Sequence, residues 1–250
     1  MLDLIKSLAA LLVSIIVVHL VYMFFIRPEA AALMEAAQQA GLAAPRNLVV
    51  LLKDWEQEIC FILMFWGSFL IISKCAIILK NNYLFTVDLV VENDEPVVAE
   101  NVIDKLDNEL SEERKKSPLI QTLRGALWRY AGTKNVQNLS DAVESSIEAI
   151  SVRQEAENAM IRYLIWAIPS IGFIGTVRGI GQALSLADQA LAGNIAGMTN
   201  SLGVAFNSTL VALLISIFLM FLFHQLQRLQ DGLLVDIQAY CDQYLLARIK

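Results

Sequence analysis

The chain has 250 residues, of which 56% are hydrophobic and 18% charged, and its formal net charge is −6. This composition is too apolar for a soluble globular protein, and the chain is long enough for several membrane spans. The acidic balance excludes the basic surface that a nucleic-acid-binding protein needs. The three cysteines and two histidines lack metal-ligand spacing, and no nucleotide or nucleophile motif occurs. We therefore expect no metal, no cofactor and no enzymatic activity.

Four apolar segments are long enough to cross a bilayer, whose hydrocarbon core of about 30 Å takes roughly 20 helical residues. They cover residues 8–26, 59–79, 163–184 and 202–226. The first could be a signal peptide, since Lys6 precedes it and small residues follow Glu29, but its apolar run is long for one. We expect an all-α membrane protein with four transmembrane helices, in which long helices extend into a cytoplasmic helical domain.

The distribution of Lys and Arg predicts the topology. Nine of these residues lie in 80–157, three in 27–57 and none in 185–201. Because basic residues stay on the cytoplasmic side, both termini and 80–157 are expected in the cytoplasm. The expected parts are 1–26 (N-terminal end and first span), 27–57 (outer, periplasmic connection), 58–80 (second span), 81–157 (cytoplasmic helical domain), 158–226 (hairpin of the third and fourth spans) and 227–250 (cytoplasmic C-terminal helix).

The outer connection is expected to contain two short helices. An Ala-rich helix over 29–40 should end at Gly41, after which Pro45 redirects the chain. Asn47 should then cap a helix that runs toward Trp55.

The cytoplasmic segment is expected to be helical after a polar start. Residues 83–91 are rich in β-formers and could form a short extended piece, and 92–96 should be a solvated acidic loop. One helix is expected over about 97–114. Ser117 with Pro118 is typical of a helix start, and this next helix should end at Gly132.

Two long helices should follow. One begins near Ser140 and meets no breaker before Pro169, so Asp141 through Leu184 would form one helix of roughly 65 Å at 1.5 Å per residue. The fourth span should continue into 227–250, because Leu229, Leu233 and Ile237 recur at helical spacing.

Small and hydroxyl residues follow one face of the third span. Pro169, Gly172, Thr176 and Gly179 are spaced three, four and three residues apart, which places them on one side of a helix. Gly175 and Gly179 form a GxxxG motif beside this face.

The fourth span has a matching face. Its members are Ala205, Thr209, Ala212 and Ser216, with Asn207 and Ser208 adjacent. Thr176 and Thr209 lie about equally far from the connecting turn, so their hydroxyls should lie at a similar depth. Two interpretations remain open. Small residues can simply let helices approach while Thr bonds to its own i−4 carbonyl, or the polar groups can face an ion path.

Neither hairpin span contains Asp or Glu. Such a hairpin can line an ion path but cannot supply a carboxylate that carries the proton, which points to a partner subunit. Among the other polar residues, Arg178 and Lys74 are expected to extend to the membrane surfaces. His19 and His224 are expected to be isolated imidazoles.

Two segments resemble a known family. The string Gly-Phe-Ile-Gly-Thr-Val-Arg-Gly-Ile at 172–180, preceded by Pro169, and the segment 203–214 look like the signature of the MotA/TolQ/ExbB proton-channel proteins. The resemblance covers about 117–245. The two helices before the cytoplasmic domain are similar to the MotA layout, whereas the string is closer to TolQ and ExbB, so the subfamily stays open.

The resemblance implies a function and a set of partners. It implies a ring of identical subunits, a pentamer, in the bacterial inner membrane around two copies of a single-helix, Asp-bearing partner (MotB/TolR/ExbD-like). Protons or Na⁺ would pass the partner Asp and drive rotation. The expected ion path consists of Thr176, Thr209, Ser208, Asn207, Pro169, Gly172 and Gly175, with Arg178 at the outer mouth.

Two other functions compete with this motor. A non-conducting membrane scaffold would use the hairpin only for packing. A small-molecule secondary transporter would normally contain internal repeats, and none is visible in the sequence.

Overall fold

A computed structural model of the chain describes residues 2–40, 47–90, 98–108 and 110–249. Within these ranges the chain is almost entirely helical and contains no β-strand. Four helical stretches, Leu4–Ala37, Trp55–Thr86, Val136–Ser185 and Ala196–Leu246, are long and apolar enough to cross a membrane. The predicted all-α membrane fold is confirmed. The predicted helix end at Gly41, the turn at Pro45 and the acidic loop at 92–96 lie outside the described residues.

The first span continues directly into the next helix. Helix α1 (Leu2–Val21) is followed by a π-helical turn (Tyr22–Ile26) and by α2 (Arg27–Gln39) without an interruption. The predicted Ala-rich helix is thus present as α2, but it begins at Arg27 instead of residue 29 and continues the first span. Pro28 has no N–H to donate to the preceding turn. The wider π turn, in which the Arg27 N–H bonds to the Tyr22 carbonyl, leads the chain into Pro28 while it remains helical.

The second span is preceded by a one-turn helix. Helix α3 (Leu48–Leu52) has the predicted cap, because the Asn47 side chain accepts a hydrogen bond from the Val49 N–H at 3.4 Å. It ends three residues before Trp55, where the long helix α4 (Trp55–Asn81) begins.

The chain forms two compact units. The first unit contains the residues up to Ile72 together with Met160–His224, and the second contains Ser73–Ala159 with Gln225–Lys250. The first unit includes α9 (Ala159–Ser185), the short α10 (Ala187–Leu191) and the first part of α11 (Ala196–Tyr240). This hairpin of α9 and α11 carries most of the predicted site residues.

The second unit is a helical domain with its own apolar core. Its helices are α5 (Ala99–Asn108), α6 (Glu112–Lys115), α7 (Pro118–Thr133), α8 (Val136–Glu157) and the end of α11 with the π turn Cys241–Leu246. Fully buried core residues include Leu119, Leu123, Leu127, Leu139 and Ile237. Tyr240 links the segment after α4 to this core, because its hydroxyl donates to the Val87 carbonyl and accepts from the Leu89 N–H, both at 2.8 Å.

Three boundaries in this unit differ from the predictions. The helix predicted over 97–114 is divided into α5 and α6. Helix α7 begins at Pro118 as predicted but continues past Gly132 to Thr133, and Lys134 ends it in the left-handed conformation with φ 49°. Helix α8 begins at Val136, earlier than Ser140, because the Asn135 side chain caps it by accepting from the Gln137 N–H at 2.8 Å.

The long helix predicted from Asp141 to Leu184 is divided as well. Helix α8 ends at Glu157 and α9 begins at Ala159. Between them, the Asn158 side chain donates to Gln230 at 2.7 Å in a buried polar pair. The predicted continuation of the fourth span is confirmed, since α11 extends to Tyr240.

The β-rich segment over 83–91 is extended only in part. It starts with a 3₁₀ helix (Asn82–Thr86), and only at Val87 does the backbone become extended. The Lys74 ammonium group bonds to the partly exposed Glu157 carboxylate at 2.8 Å.

Candidate functional site

Glycines bring α9 and α11 into backbone contact. A Cβ built on Gly172 would lie 2.5 Å from the Ala212 Cβ, and one on Gly179 would lie 2.6 Å from the Ala205 backbone nitrogen. A Cβ on Gly175 would collide with the Ser208 side chain. Because real Cβ atoms do not approach other atoms this closely, only glycine permits this spacing. The predicted face of small residues on α9 therefore packs directly against α11.

The two threonines meet where the helices are closest. The Thr176 and Thr209 hydroxyls are in direct hydrogen-bond contact, which confirms that they lie at the same depth. The Thr176 hydroxyl also lies 3.0 Å from the Ala205 carbonyl oxygen, and the Thr209 hydroxyl lies 3.3 Å from the Gly172 carbonyl oxygen. Each hydroxyl thus reaches an acceptor on the opposite helix, and both side chains are only half-buried.

Pro169 leaves one backbone carbonyl of α9 without its helical hydrogen bond, and a side chain of α11 donates to that carbonyl. Pro169 cannot donate to the Ile165 carbonyl one turn earlier. The Ser216 hydroxyl of α11 donates to this carbonyl at 3.0 Å. The Cys60 thiol of α4 lies 3.7 Å from the neighbouring Ile168 carbonyl. The carbonyl that Pro169 frees is thus satisfied by a hydroxyl of α11, as a proline in a membrane helix requires.

The remaining predicted site residues differ in their surroundings. Ser208 is 1% exposed, and its hydroxyl has no hydrogen-bond partner among the described residues. Asn207 is half-buried beside it. Thr176, Thr209 and Ser208 therefore lie together beside the glycines. Pro169 lies elsewhere on α9, where the preceding turn contacts Ser216.

Arg178 binds two carboxylates. Its Nε and Nη2 atoms donate to the two Glu56 oxygens at 2.6 and 2.9 Å, and Nη2 also lies 3.4 Å from Asp54. The guanidinium lies 6.0 Å from the centre of the Trp55 ring. Arg178 is thus held by a bidentate ion pair with a buried carboxylate, an interaction stronger than a hydrogen bond between neutral groups.

A second ion cluster joins α4 to the N-terminal helix. The Glu58 oxygens bind the His19 Nδ1 at 2.7 Å and the Arg27 Nη2 at 2.6 Å. The buried Tyr22 hydroxyl of this helix has no hydrogen-bond partner among the described residues. His19 is thus not the isolated imidazole that was predicted, whereas His224 is exposed.

Of these two glutamates, only Glu56 binds a residue of the hairpin, which makes it the functional candidate that the predicted site did not include. Glu56 lies in the predicted outer connection (27–57) and Glu58 is the first residue of the predicted second span (58–80), so both fall outside the two hairpin spans, which contain no Asp or Glu. The sequence does indicate such a residue, because an arginine inside an apolar span needs an acidic side chain as its partner. The acidic residues at the start of α4 were the candidates nearest to its depth.

The described residues contain no group of His, Cys, Asp and Glu that could hold a metal ion. The site instead offers two hydroxyls in contact, an unpaired buried hydroxyl and an ion-paired carboxylate. Hydroxyls and carboxylates of this kind can pass a proton between oxygen atoms.

Comparison with known proteins agrees with this chemistry. No curated protein and no solved structure matches the chain. The sequence pattern of the MotA/TolQ/ExbB proton channel family matches residues 111–239, more than half of the chain. That range includes the hairpin with Thr176 and Thr209 and most of the second unit. The protein is therefore a membrane protein that belongs to the MotA/TolQ/ExbB proton channel family.

Proposed function

We propose that this chain is the ring-forming subunit of a motor driven by an ion-motive force in the bacterial inner membrane. Five copies would surround two copies of a single-helix partner whose Asp carries the ion. The contact between the Thr176 and Thr209 hydroxyls carries this proposal. It places a pair of polar groups at one depth of a hairpin that has no carboxylate of its own.

The energetics of a buried carboxylate explain why such a hydroxyl pair is useful. An ionised partner Asp is strongly disfavoured in hydrocarbon and seeks polar contacts, whereas its protonated form does not. Half-buried threonine hydroxyls can receive the ionised form. Each elementary charge that crosses the membrane releases about 2.3 kcal/mol per 100 mV, and repetition around a ring would convert this energy into rotation.

The exposed apolar surface of the hairpin supports assembly in a membrane. Phe173, Val177, Phe206 and Leu213 are all exposed in the single subunit. In a ring, lipid and neighbouring copies would cover them. Native mass spectrometry in mild detergent should show a closed oligomer, and a stable monomer would contradict the ring.

The proposed topology places both termini and the second unit in the cytoplasm. Ser111 and Gln189 are exposed in the subunit, so a cysteine at either position should be reachable by a reagent. With the native cysteines replaced by alanine, Ser111→Cys should resist a membrane-impermeant thiol reagent in intact cells, and Gln189→Cys should react. The opposite labelling pattern would overturn the topology.

Substitution of Thr209 tests the ion path. Thr209→Val keeps the side-chain shape and removes the hydroxyl, so it should abolish proton flux in vesicles that contain the ring and its partner. Thr209→Ser should retain part of the flux. Assembly is checked separately by size-exclusion chromatography. Full flux through an assembled Thr209→Val ring would show that the hydroxyls serve only packing.

A non-conducting scaffold is the alternative function. The observation in its favour is that each threonine hydroxyl already has carbonyl acceptors, including its own i−4 carbonyl at 3.4 Å for Thr176 and 3.5 Å for Thr209. A scaffold would carry no proton flux even without a substitution, so flux through the unsubstituted ring with its partner separates the two functions.

A further inference from the structure

Glu56 is fully buried although it lies in the first turn of α4. The residue is 0% exposed, and both carboxylate oxygens are bound by Arg178 of α9 at 2.6 and 2.9 Å. A buried charge is retained only where partners compensate the loss of water. A buried carboxylate of α4 thus contacts the hairpin within the same subunit.

The Glu56 side chain and the unpaired Ser208 hydroxyl border the same glycine. A Cβ built on Gly175 would lie 2.6 Å from the Ser208 Oγ and 3.3 Å from the Glu56 Cγ. No hydrogen bond joins the two side chains, and the Ser208 hydroxyl has no partner among the described residues. Because a buried hydroxyl is normally hydrogen-bonded, this arrangement favours a bridging water or hydrated proton at this position.

If the ion pair with Glu56 breaks, the Arg178 guanidinium still has a second carboxylate as a partner. Its Nη2 atom lies 3.4 Å from Asp54, a second carboxylate that also binds Lys53 at 3.3 Å. When Glu56 becomes neutral, the guanidinium keeps one anionic partner. Protonation of Glu56 therefore does not leave an isolated arginine charge in the interior.

We propose that Glu56 is the proton-loading carboxylate of this subunit and that the Ser208 hydroxyl relays its proton toward the threonine pair. The inference rests on the proposed function. A hydronium ion outside gives one proton to a Glu56 oxygen and becomes water. Glu56 then gives this proton to a water beside Ser208, because no direct hydrogen bond joins the two side chains. That water passes a proton to the Ser208 oxygen, while Ser208 releases its own hydroxyl proton through the threonine pair to the partner carboxylate. Glu56 returns to its ionised form and binds Arg178 again, so one proton enters and one leaves.

A charge-neutral double substitution separates proton loading from a structural ion pair. Glu56→Gln removes the titratable group, and Arg178→Gln in the same chain removes the charge left behind. Proton flux is measured with a pH-sensitive dye in vesicles that contain the assembled ring and its partner. Because a positioned proton carrier contributes about a hundredfold or more to the rate, both Glu56→Gln and the double variant should lose flux by about that factor.

Glu58→Gln is the matched control. Glu58 lies two residues further along α4, is also buried, and binds His19 and Arg27 instead of the hairpin. Its substitution should leave flux unchanged.

Restored flux in the Glu56→Gln/Arg178→Gln variant would overturn the inference, because a neutral pair of side chains would then be sufficient for proton flux.

Two further readouts keep the result interpretable. If the unsubstituted ring conducts while the double variant also conducts, only the proton-loading role is wrong. If the unsubstituted ring with its partner carries no proton flux, the proposed function itself is wrong. Infrared difference spectroscopy of the unsubstituted ring tests the inference when a variant fails to assemble. A protonated carboxyl band of ¹³C-labelled glutamate should appear as the external pH falls, and its absence would refute the role of Glu56.

Discussion

The glycine contacts between α9 and α11 make a quantitative prediction for Gly179→Ala. The new Cβ would lie 2.6 Å from the Ala205 nitrogen, 2.8 Å from its Cβ and 2.8 Å from the Ser201 carbonyl oxygen. Two of these atoms belong to the backbone and cannot rotate away. To reach ordinary contact, the helices must separate by about 1 Å, and overpacking of this kind typically costs about 1–3 kcal/mol.

Gly181→Ala is the matched control on the same helix. A Cβ built on Gly181 meets no atom within 4 Å, so this substitution should only add helix propensity, worth about 0.5–1 kcal/mol. The two substitutions add the same methyl group two residues apart, and we expect opposite signs. Gly179→Ala should lower the stability of the assembled protein, and Gly181→Ala should leave it equal or higher.

Thermal unfolding in detergent, followed by circular dichroism and by loss of the oligomer peak on size-exclusion chromatography, measures the difference. The unsubstituted protein provides the reference midpoint. Equal midpoints for the Gly179→Ala and Gly181→Ala variants would refute the conclusion that backbone contact between α9 and α11 requires glycine.

Two further predictions concern groups whose surroundings the structure defines. Ser216→Ala leaves the Ile165 carbonyl without the hydroxyl donor of α11 and should destabilise the protein by about 1–3 kcal/mol, measured by thermal unfolding. Ser170→Ala should have little effect, because this exposed hydroxyl bonds only to its own helix. In the second unit, Leu119→Ala empties a fully buried core position and should cost about 2–5 kcal/mol, measured by denaturant unfolding. Trp128→Ala, at an exposed position of the same helix, should cost far less, and equal losses would contradict the assigned core.

Local signals were sufficient for much of the architecture. The lengths of the apolar runs predicted four spanning helices, because the bilayer thickness sets the number of helical residues. The distances of Thr176 and Thr209 from the turn predicted their equal depth, because the helical rise is constant. The Asn47 cap could be identified because a cap involves only neighbouring residues. The Asn135 cap was available from the same rule and was overlooked.

Only the tertiary structure decided which side chains meet. Arg178 and Glu56 are separated by 122 residues in the chain, and His19 and Glu58 by 39. Helical periodicity assigns each residue to a face of its own helix, but it does not specify which helices are neighbours or their relative register. The register of α11 against α9 also decides that Ser216 donates to the Ile165 carbonyl and that the Ser208 hydroxyl has no partner among the described residues. The sequence by itself therefore determined the helices and the equal position of the two threonines along the hairpin, while the packing of α4 against α9 and α11 determined the charge pairs beside the hairpin.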